Sequence, residues 1–272
     1  MLNKLFREIM GFYSPIALSL PGMRAQRLKA YAKARRGKIA DLVTEADFYM
    51  QEKLRQFAQR QGWQFWGEEG DSQGDKEQYD ESRKYLLITD PVEGTNNYVA
   101  GKDDQWGSVV ALVDVRKKQP VIGIVAHPSK RLFYTGIKGS GAFIYYYDEQ
   151  ARLLRKEKMG KKPEFPGFTY NNSPHFDTKL QKQVENFLRL IQGKRFVDPE
   201  SGALEAIRYK GTIYFKTSNE MAAVFAILNE LGGKVTDGYG KSWHLGINSL
   251  IAARNKTDYD FLKKIYDRSV RA

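Results

Sequence analysis

Four short apolar segments in the middle of the chain restrict its fold more than any other pattern in the sequence. These segments lie at Ser108–Val113, Val121–His127, Leu132–Gly136 and Ala142–Tyr147. They are separated by the polar stretches KKQP, PSK and KGSG, whose proline and glycine residues favour turns. Apolar runs of this length between tight turns are typical of strands that pair with their neighbours in sequence. The pattern therefore predicts an antiparallel meander.

Helical patterns and further apolar runs surround this meander. One helix is predicted to begin at an N-cap, Thr44, and to end by Gly62, with Asp47 placed three residues after the cap, as in a capping box. Further helices are predicted at Lys179–Gln192 and Asn219–Leu231, and further strands at Tyr85–Thr89 and Thr212–Phe215. Because antiparallel strands alternate with helices, we expect a layered fold of the mixed α/β (α+β) class.

Composition limits the chemistry that such a chain can use. Its 272 residues include no cysteine, which excludes disulfides, thiolate zinc sites and a cysteine nucleophile. The three histidines, His127, His175 and His244, occur in unrelated contexts, and the chain has no G-x-S-x-G motif for a serine hydrolase. A bound metal ion would therefore depend mainly on carboxylates.

The chain carries a formal net charge of +12, which suits an anionic partner such as nucleic acid or a phosphorylated metabolite. The basic run Lys29–Lys38 is typical of a solvated helix end or of a nucleic-acid patch. No window reaches the roughly 18 apolar residues of a membrane helix. Met1–Met23 resembles a signal peptide only weakly, since Glu8 interrupts its basic part, and we expect it to belong to the folded protein. A cytoplasmic protein without a membrane partner is expected.

A charged segment, Arg155–Glu164, contains both glycine and proline and is the best candidate for a boundary between two lobes. The predicted N-terminal lobe, residues 1–154, contains the meander and most acidic motifs. The predicted C-terminal lobe, residues 155–272, contains the substrate loops and the last acidic motif. We expect the two lobes to form one compact unit.

Three acidic motifs occur where a predicted element meets a turn. They are GEEG at Gly67–Gly70, DPVEGT at Asp90–Thr95 and the helix-leading pair Asn219–Glu220. Mg²⁺ prefers oxygen ligands, and the proline and glycine of the second motif can aim its two carboxylates inward together with the carbonyl of Val92. Each motif alone is also compatible with a solvated loop, a Pro–Gly turn or a charge that complements a helix dipole.

Taken in order, these motifs resemble those of the inositol monophosphatase superfamily of Mg²⁺-dependent, commonly lithium-sensitive phosphatases. The resemblance covers roughly Ala40 to Arg254, and its matching segments are LVTEAD, GEEG, DPVEGTNNYVAG, WGSVVALV, GIVAHP, KGSGAF and NEMAAVFAILNELGGKVTDG. It implies the alternating αβαβα sandwich that this superfamily shares with fructose bisphosphatases. The loops Asn171–His175 and Ser201–Leu204 loosely resemble those of the 3′(2′),5′-bisphosphate nucleotidase branch.

The resemblance assigns roles to individual residues. The first metal site would use Glu68, Asp90 and the Val92 carbonyl, and the second would use Asp90, Glu93 and Glu220. These sites would hold two or three Mg²⁺ ions, with Mn²⁺ as a substitute.

The catalytic residues implied are Thr95 and Asp47, which would orient the attacking water, and Glu68, which would act through the metal. The substrate-binding residues expected are Gly94, Thr95, Asn96, Ser201, Gly202 and Lys216. The first three would present backbone N–H groups to the phosphate.

Two departures from the superfamily pattern concern metal ligands. Glu93 stands where the superfamily usually has aspartate, and Asn219–Glu220 stands where it usually has Trp-Asp. Glutamate keeps the charge but adds a methylene, so its oxygen must come from farther back. Glu220 resembles the helix-leading ligand of fructose bisphosphatases, whereas Glu93 has no such counterpart.

The resulting hypothesis is a Mg²⁺-dependent phosphoric monoester hydrolase that uses a metal-activated water. Its substrate would be a small phosphorylated metabolite: an inositol phosphate, a sugar phosphate or 3′-phosphoadenosine 5′-phosphate. The alternative is a catalytically weakened member that binds RNA or another polyanion. A homodimer is the expected assembly because the superfamily is often dimeric, and nucleic acid is not expected as a partner.

Overall fold

The computed structural model describes residues 1–26, 29–36, 39–69, 80–171, 177–194, 196–197, 202–215, 217 and 219–271. The helices are α1 (Leu2–Ala25), α2 (Glu45–Arg60), α3 (Thr95–Val99), α4 (Thr178–Ile191), α5 (Gly202–Arg208), α6 (Ala222–Glu230) and α7 (Lys256–Arg271). The strands are β1 (Ala30–Arg36), β2 (Ile39–Thr44), β3 (Gln64–Gly67), β4 (Tyr85–Glu93), β5 (Gly107–Asp114), β6 (Gln119–His127), β7 (Leu132–Ile137), β8 (Gly141–Tyr147), β9 (Leu153–Lys158), β10 (Phe165–Tyr170), β11 (Phe196–Val197), β12 (Tyr209–Tyr214), β13 (Lys234–Thr236) and β14 (Leu250–Ala253).

The predicted meander forms the centre of the larger sheet. In the described part of the chain this sheet has seven strands in the order β3-β4-β5-β6-β7-β8-β9. Strands β3 and β4 are parallel, and every later neighbour pair is antiparallel. The antiparallel meander predicted from the sequence is therefore confirmed, and it is extended by one strand at its far edge.

Side chains on the two faces of this sheet belong to different cores, because successive residues of a strand point to opposite faces. On β4, Leu87 packs with the buried faces of α1 and α2. Its neighbours Leu86 and Ile88 pack with α5 and α6 on the other side. The sheet is thus covered by helices on both faces, which explains why its strands are apolar almost throughout.

A smaller sheet forms the next layer. Its described strands have the order β11-β10-β12-β14-β13, with β10 parallel to both β11 and β12. Tyr214 and Leu250 of this sheet belong to the core that contains α5 and α6, whereas Ile213 and Ile251 pack with α4 and α7. The layers therefore alternate as α1/α2, larger sheet, α5/α6, smaller sheet, α4/α7. This arrangement confirms the αβαβα sandwich.

Two glycines let α6 lie close against the larger sheet. A Cβ at Gly136 on β7 would lie 2.5 Å from the Cα of Ile227, and a Cβ at Gly123 on β6 would lie 2.9 Å from the Cα of Ala223. Both contacts are with the helix backbone, which cannot give way as a side chain can. These glycines therefore set the distance between α6 and the sheet.

The structure corrects two expectations from sequence. The charged segment Arg155–Glu164 is not simply a connection, because it begins within β9, which pairs with β8 at the edge of the larger sheet. The predicted boundary between residues 154 and 155 lies within this strand, and the division into two lobes stays a prediction. The predicted helix at Asn219–Leu231 begins instead with a short 3₁₀ turn, Asn219–Met221, before α6.

The N-terminal segment is a helix of the folded protein. Along α1, residues spaced three and four apart, such as Phe6, Ile9, Met10 and Tyr13, are buried in the core that faces α2 and the larger sheet. Among the helices of the described residues, none has the length and apolar character needed to cross a membrane.

The close packing of α6 gives a prediction about stability. We expect Gly136→Ala to lower the free energy of unfolding by about 1–3 kcal/mol, the usual cost of overpacking. Gly11→Ala is the control, since a Cβ there meets nothing within 4 Å and an exposed helical Gly→Ala change stabilises by up to about 1 kcal/mol. Urea unfolding of both variants measures the difference. Equal midpoints would show that α6 can move away from the sheet without cost.

Candidate active site

Two acidic motifs meet because they follow neighbouring parallel strands. Gly67 of β3 pairs with Thr89 of β4, so the next residues, Glu68 and Asp90, lie side by side at the same edge of the sheet. The backbone N–H of Glu68 donates to the carbonyl of Thr89 at 3.2 Å, which extends the strand pairing by one residue. Parallel pairing therefore brings together two motifs that are distant in sequence.

The DPVEGT motif forms an irregular turn at the end of β4, as its proline and glycine predicted. The register of β4 against β5 shifts between Asp90 and Glu93. Gly94 follows with φ of 83°, and a Cβ there would lie 2.9 Å from the carbonyl oxygen of Gln105. The hydroxyl of Thr95 donates to the carbonyl of Val92 at 2.8 Å. This irregular end of β4 places both carboxylates and the Val92 carbonyl in one turn.

Asp47 is fully buried in the first turn of α2 and forms the predicted capping box with Thr44. Its Oδ2 accepts hydrogen bonds from the Thr44 backbone N–H at 2.7 Å and from the Thr44 hydroxyl at 2.6 Å. The hydroxyl of Thr95, the other residue expected to orient the water, donates to the Val92 carbonyl and not to a carboxylate. The capping role of Asp47 is therefore confirmed, and its role toward a water molecule stays a prediction.

Gln51 holds the loop that carries Glu68, a role that the sequence analysis missed. Its side-chain oxygen accepts from the Glu69 backbone N–H at 2.8 Å, and its amide nitrogen donates to the Glu69 carbonyl. A Cβ at Gly67 would lie 2.9 Å from Cγ of Gln51, so the glycine allows this contact. The available signal was spacing, because Gln51 follows Asp47 by four residues and so lies on the same face of α2.

Glu220 reaches the same region from the other side of the sheet. It lies in the 3₁₀ turn before α6 and is only 6% exposed. The turn is fixed by Asn219, whose side-chain oxygen accepts from the Gly246 backbone N–H at 2.8 Å and whose carbonyl accepts from the Trp243 indole at 3.2 Å. The third acidic motif therefore joins the first two through packing of α6 on the larger sheet.

Asp90 lies within electrostatic reach of the other predicted acidic residues. Its pKa is raised well above the ordinary value by burial and by the negative charges of Glu68, Glu93, Glu220 and Asp47. Burial and the charge of Glu220 likewise raise the pKa of Glu93 to about 8. Like charges that share a buried site disfavour ionisation. The five carboxylates predicted to act together therefore share one buried neighbourhood.

The donor chemistry of this neighbourhood suits a hard cation. Oδ1 of Asp90 and Oε2 of Glu93 are buried and have no hydrogen-bond donor among the described residues. Such oxygens need a proton or a cation, and Mg²⁺ takes oxygen ligands. As the side chains stand, no three acidic or histidine residues of the described part of the chain converge tightly enough to hold an ion.

The N-terminal turn of α5 supports Glu93. The carboxylate of Glu93 accepts a hydrogen bond from the Ala203 backbone N–H. A Cβ at Gly202 would overlap Oε1 of Glu93 and lie 2.9 Å from its Cδ. The added methylene of Glu93 therefore takes space that any other residue at position 202 would need. Gly202, predicted as a substrate-binding residue, contacts a predicted metal ligand in this structure.

Two further residues on the same side were missed from the sequence. The buried hydroxyl of Tyr214 donates to the carbonyl of Gly202, which fixes the start of α5. Glu205, one turn along α5, is 9% exposed and its charge raises the pKa of both Glu93 and Tyr214. No motif or spacing pointed to either residue, because only the packing of α5 against β4 and β12 brings them to the site.

The remaining predicted substrate residues divide into two groups. Gly94, Thr95 and Asn96 lie at the start of α3, where the first backbone N–H groups of a helix have no partner within the helix. Thr95 is partly exposed and Asn96 is exposed, so this turn is open to a ligand. Ser201 and Lys216 lie outside the described residues.

The packing of Gly202 on Glu93 gives a prediction about metal binding. We expect Gly202→Ala to weaken Mg²⁺ binding by at least about tenfold, because the new Cβ displaces the Glu93 carboxylate. Glu93→Asp should also weaken binding, since its oxygen is drawn back by one methylene. The loss of Mg²⁺ binding free energy in the double variant should be smaller than the sum of the losses in the two single variants, because the shorter side chain leaves room for the Cβ.

Calorimetric titration with Mg²⁺ of the three variants measures this coupling. Gly160→Ala is the matched control, since its Cβ would have only one neighbour within 4 Å, at 3.9 Å. Strictly additive losses in the double variant would show that residues 93 and 202 act independently.

The chain is similar in sequence and in fold to several known proteins. The bovine (Bos taurus) inositol monophosphatase 1 is 27% identical over 229 residues, which is 80% of this chain and 79% of that protein. The fructose-1,6-bisphosphatase of Pyrococcus furiosus is 24% identical over 170 residues, so the match spans only 62% of the length of either protein. The fold is similar to that of the extragenic suppressor protein suhB from Bartonella henselae, with a TM-score of 0.75 at 21% identity, covering 97% of this chain and 99% of that one.

The family assignment rests on a match to most of the chain. The model of the inositol monophosphatase family matches residues 19–270, a span that includes each acidic motif and both sheets of the sandwich. The protein therefore belongs to the inositol monophosphatase family.

Proposed function

We propose that this protein is a Mg²⁺-dependent phosphomonoesterase that hydrolyses a small phosphorylated metabolite with a metal-activated water. Family membership supports a phosphatase. The single observation that carries the proposal is the buried position of Asp90 among four other carboxylates, each of which raises its pKa. Such an arrangement is costly unless a cation neutralises it, and a bound divalent cation can activate water and stabilise the charge of a transferring phosphoryl group.

The residues that would hold the ions are those at the ends of β3, β4 and the turn before α6. Glu68, Asp90 and the Val92 carbonyl would form one site, and Asp90, Glu93 and Glu220 would form the other. When bound, Mg²⁺ would supply the positive charge that lowers the pKa of a coordinated water and neutralises the phosphate oxygens. The cap of α2 and the turn of α5 would keep the surrounding carboxylates in place.

Thr95 is suited to orient the attacking water. Its hydroxyl proton is donated to the Val92 carbonyl, so its oxygen lone pairs can accept a hydrogen bond from water. Asp47, fixed by Thr44 at the start of α2, is the nearby buried carboxylate that would favour loss of a proton from that water. The N–H groups at the start of α3 would hold the phosphate oxygens.

Lys216 is the sequence feature that bears on substrate choice. It lies near the point where polyol-specific members of the family carry an acidic residue, and its charge favours a substrate with a second anionic group. We therefore propose a bisphosphorylated sugar or 3′-phosphoadenosine 5′-phosphate ahead of an inositol monophosphate. The net charge of +12 is consistent with a strongly anionic substrate.

The alternative, a silent member that binds RNA, would need exposed aromatic rings beside cations. Such pairs occur at the edge of the larger sheet, where Arg155 lies 3.9 Å from the ring centroid of Tyr146 and Lys156 lies 3.6 Å from that of Phe143. Both rings are partly buried, and their faces are already covered by these cations. The aromatic side chains of this edge are therefore poorly placed to stack with bases.

A phosphate-release assay tests the proposed activity. We expect hydrolysis of at least one of inositol 1-phosphate, fructose 1,6-bisphosphate and 3′-phosphoadenosine 5′-phosphate with Mg²⁺, and a loss of at least about 10²-fold when EDTA removes the ion. Glu220→Gln should reduce turnover by a similar factor, because it removes the charge of a proposed ligand.

Glu185→Gln is the matched control for this assay, since Glu185 is exposed on α4, away from the acidic cluster. Its activity should equal that of the wild type. Turnover that is unaffected by both EDTA and Glu220→Gln would contradict the proposed mechanism.

The raised carboxylate pKa values give a prediction about pH and stability. The pKa of Glu93 is about 8 in the folded protein and about 4.5 when exposed, so the folded state retains a proton that the unfolded chain has lost. The contribution of protonated Glu93 to the free energy of unfolding is complete below pH 4.5 and is lost as the pH rises toward 8. Without divalent ions, we therefore expect the melting temperature to fall between pH 6.5 and 8, with a loss on the order of 1–2 kcal/mol.

Two comparisons identify the source of this slope of melting temperature against pH. Mg²⁺ should remove most of it, because the cation replaces the proton as the partner of these carboxylates. Glu93→Gln in EDTA should show a shallower slope than the wild type, since it cannot ionise. Identical slopes for all samples, measured by differential scanning calorimetry, would mean that the acidic cluster does not control stability in this range.

A further inference from the structure

A second polar region lies at the opposite end of α5 from the acidic cluster. It is a cavity of about 310 Å³ between the edge of the larger sheet and the end of α5. Apolar and aromatic side chains form much of its lining, and they include Leu132, Ile144 and Met159. Three basic residues and one acidic residue complete it: Lys162, Arg208, Arg254 and Glu164.

Arg254 is the unusual member of this lining. It is only 6% exposed, and its Nη2 donates to the carbonyl of Ile207, at the end of α5. Its Nε and Nη1 are buried and have no hydrogen-bond acceptor within the described ranges of the chain. Burial lowers the pKa of Arg254 to about 10, which still leaves the guanidinium charged at neutral pH. A buried, charged group with two unused donors is costly unless an anion accompanies it.

The carboxylate that lines the same cavity is already engaged. Glu164 accepts from Nε of Arg208 at 3.0 Å and from Nη2 of Arg208 at 2.8 Å, which is a bidentate pair. The hydroxyl of Tyr134 also donates to Glu164, at 3.3 Å. Counted over the four charged lining residues, three positive charges face one negative charge. The protein therefore surrounds this cavity with positive charge that these residues do not neutralise among themselves.

We propose that this cavity binds a small organic oxyanion, a carboxylate or a phosphonate-like group on a compact apolar body, as the counter-ion of Arg254. The oxyanion would accept hydrogen bonds from the unused donors of Arg254, reached by rotation of the guanidinium, and would lie near Lys162. The apolar body would contact Ile144 and Met159. The volume is at the lower end of the range for small-molecule sites, so a single ring with one charged group is the expected size.

This site is separate from the acidic cluster. Gly202 and Ala203, at the start of α5, contact Glu93, whereas Ile207 and Arg208, at its end, contact Arg254 and Glu164. A helix of this length spans about 10 Å. The two ends also differ in sign, since one gathers carboxylates and the other gathers arginines. In the absence of a metal ion, the carboxylates at the start of α5 repel an anion, whereas the arginines at its end attract one.

Titration of the metal-free protein with two probes tests the proposal. Sodium benzoate and sodium phenylphosphonate carry the same ring on a carboxylate or on a phosphonate, and calorimetry in EDTA measures the affinity of each. We expect at least one probe to bind the wild type, and the tighter one identifies the class of oxyanion. Arg254→Met should lower that affinity by at least about tenfold, the effect of losing hydrogen bonds to a charged group.

Three further variants show whether the probe occupies this cavity. Arg116→Met removes the same charge from an exposed turn and should bind the probe as the wild type does. Glu220→Gln should also bind as the wild type does, because the acidic cluster is not the proposed site. Ile144→Trp fills the cavity without changing any charge and should abolish binding even if Arg254→Met fails to fold.

Stability provides an independent readout. Arg254→Met should melt at or above the temperature of the wild type in the absence of anions, because it replaces a buried charge with two unused donors by an apolar chain. The probe should raise the melting temperature of the wild type but not that of Arg254→Met. Absence of binding by both probes, or undiminished binding by Arg254→Met and Ile144→Trp, would overturn the proposal.

Discussion

Burial of several carboxylates around Asp90 governs how the rest of this structure is organised. Like charges in a low-dielectric region repel, and each also loses its hydration. The raised pKa values of Asp90 and Glu93 express that cost. A fold can maintain such a cluster only if rigid elements hold each carboxylate and a cation or a proton compensates the charge.

Each layer of the sandwich that borders this cluster holds one part of it. The larger sheet supplies Glu68, Asp90 and Glu93 at the ends of two parallel strands. On one face, α2 holds the adjacent loop through Gln51. On the other face, α6 brings in Glu220, and glycines in the sheet allow the helix to approach closely enough to do so. The alternating layers therefore position groups that come from four separate stretches of the chain.

The short helix α5 separates two regions of opposite charge. A helix dipole favours negative groups near its first turn and positive groups near its last. Glu93 accepts the Ala203 N–H at the first turn, and Arg254 donates to the Ile207 carbonyl at the last. The proposed oxyanion site and the acidic cluster thus use the two ends of one element, and the polarity of the backbone favours the sign of charge found at each end.

Local features of this protein follow from its sequence. The apolar runs between turns predicted the meander, Thr44 and Asp47 predicted the capping box, and the order of the acidic motifs indicated the family and the five-layer fold. These features depend on short spacings, because strand alternation, caps and turns are set by residues within a few positions of each other. The predicted roles of Asp90, Glu93 and Glu220 came from the same motifs.

The meeting of distant segments depends on tertiary packing. The charged residues at the start of Arg155–Glu164 form an edge strand because β8 offers an unpaired edge, although their own pattern does not indicate a strand. Gln51, Glu205 and Tyr214 join the site, and Gly202 fits against Glu93, only through packing of α2, α5 and β12 around β4. Arg254 likewise keeps two unused donors only because folding pairs the nearby carboxylate of Glu164 with Arg208. Such contacts join residues at least 12 positions apart in sequence, and apart from the helical spacing of Gln51 after Asp47 no local pattern in a single sequence indicates them.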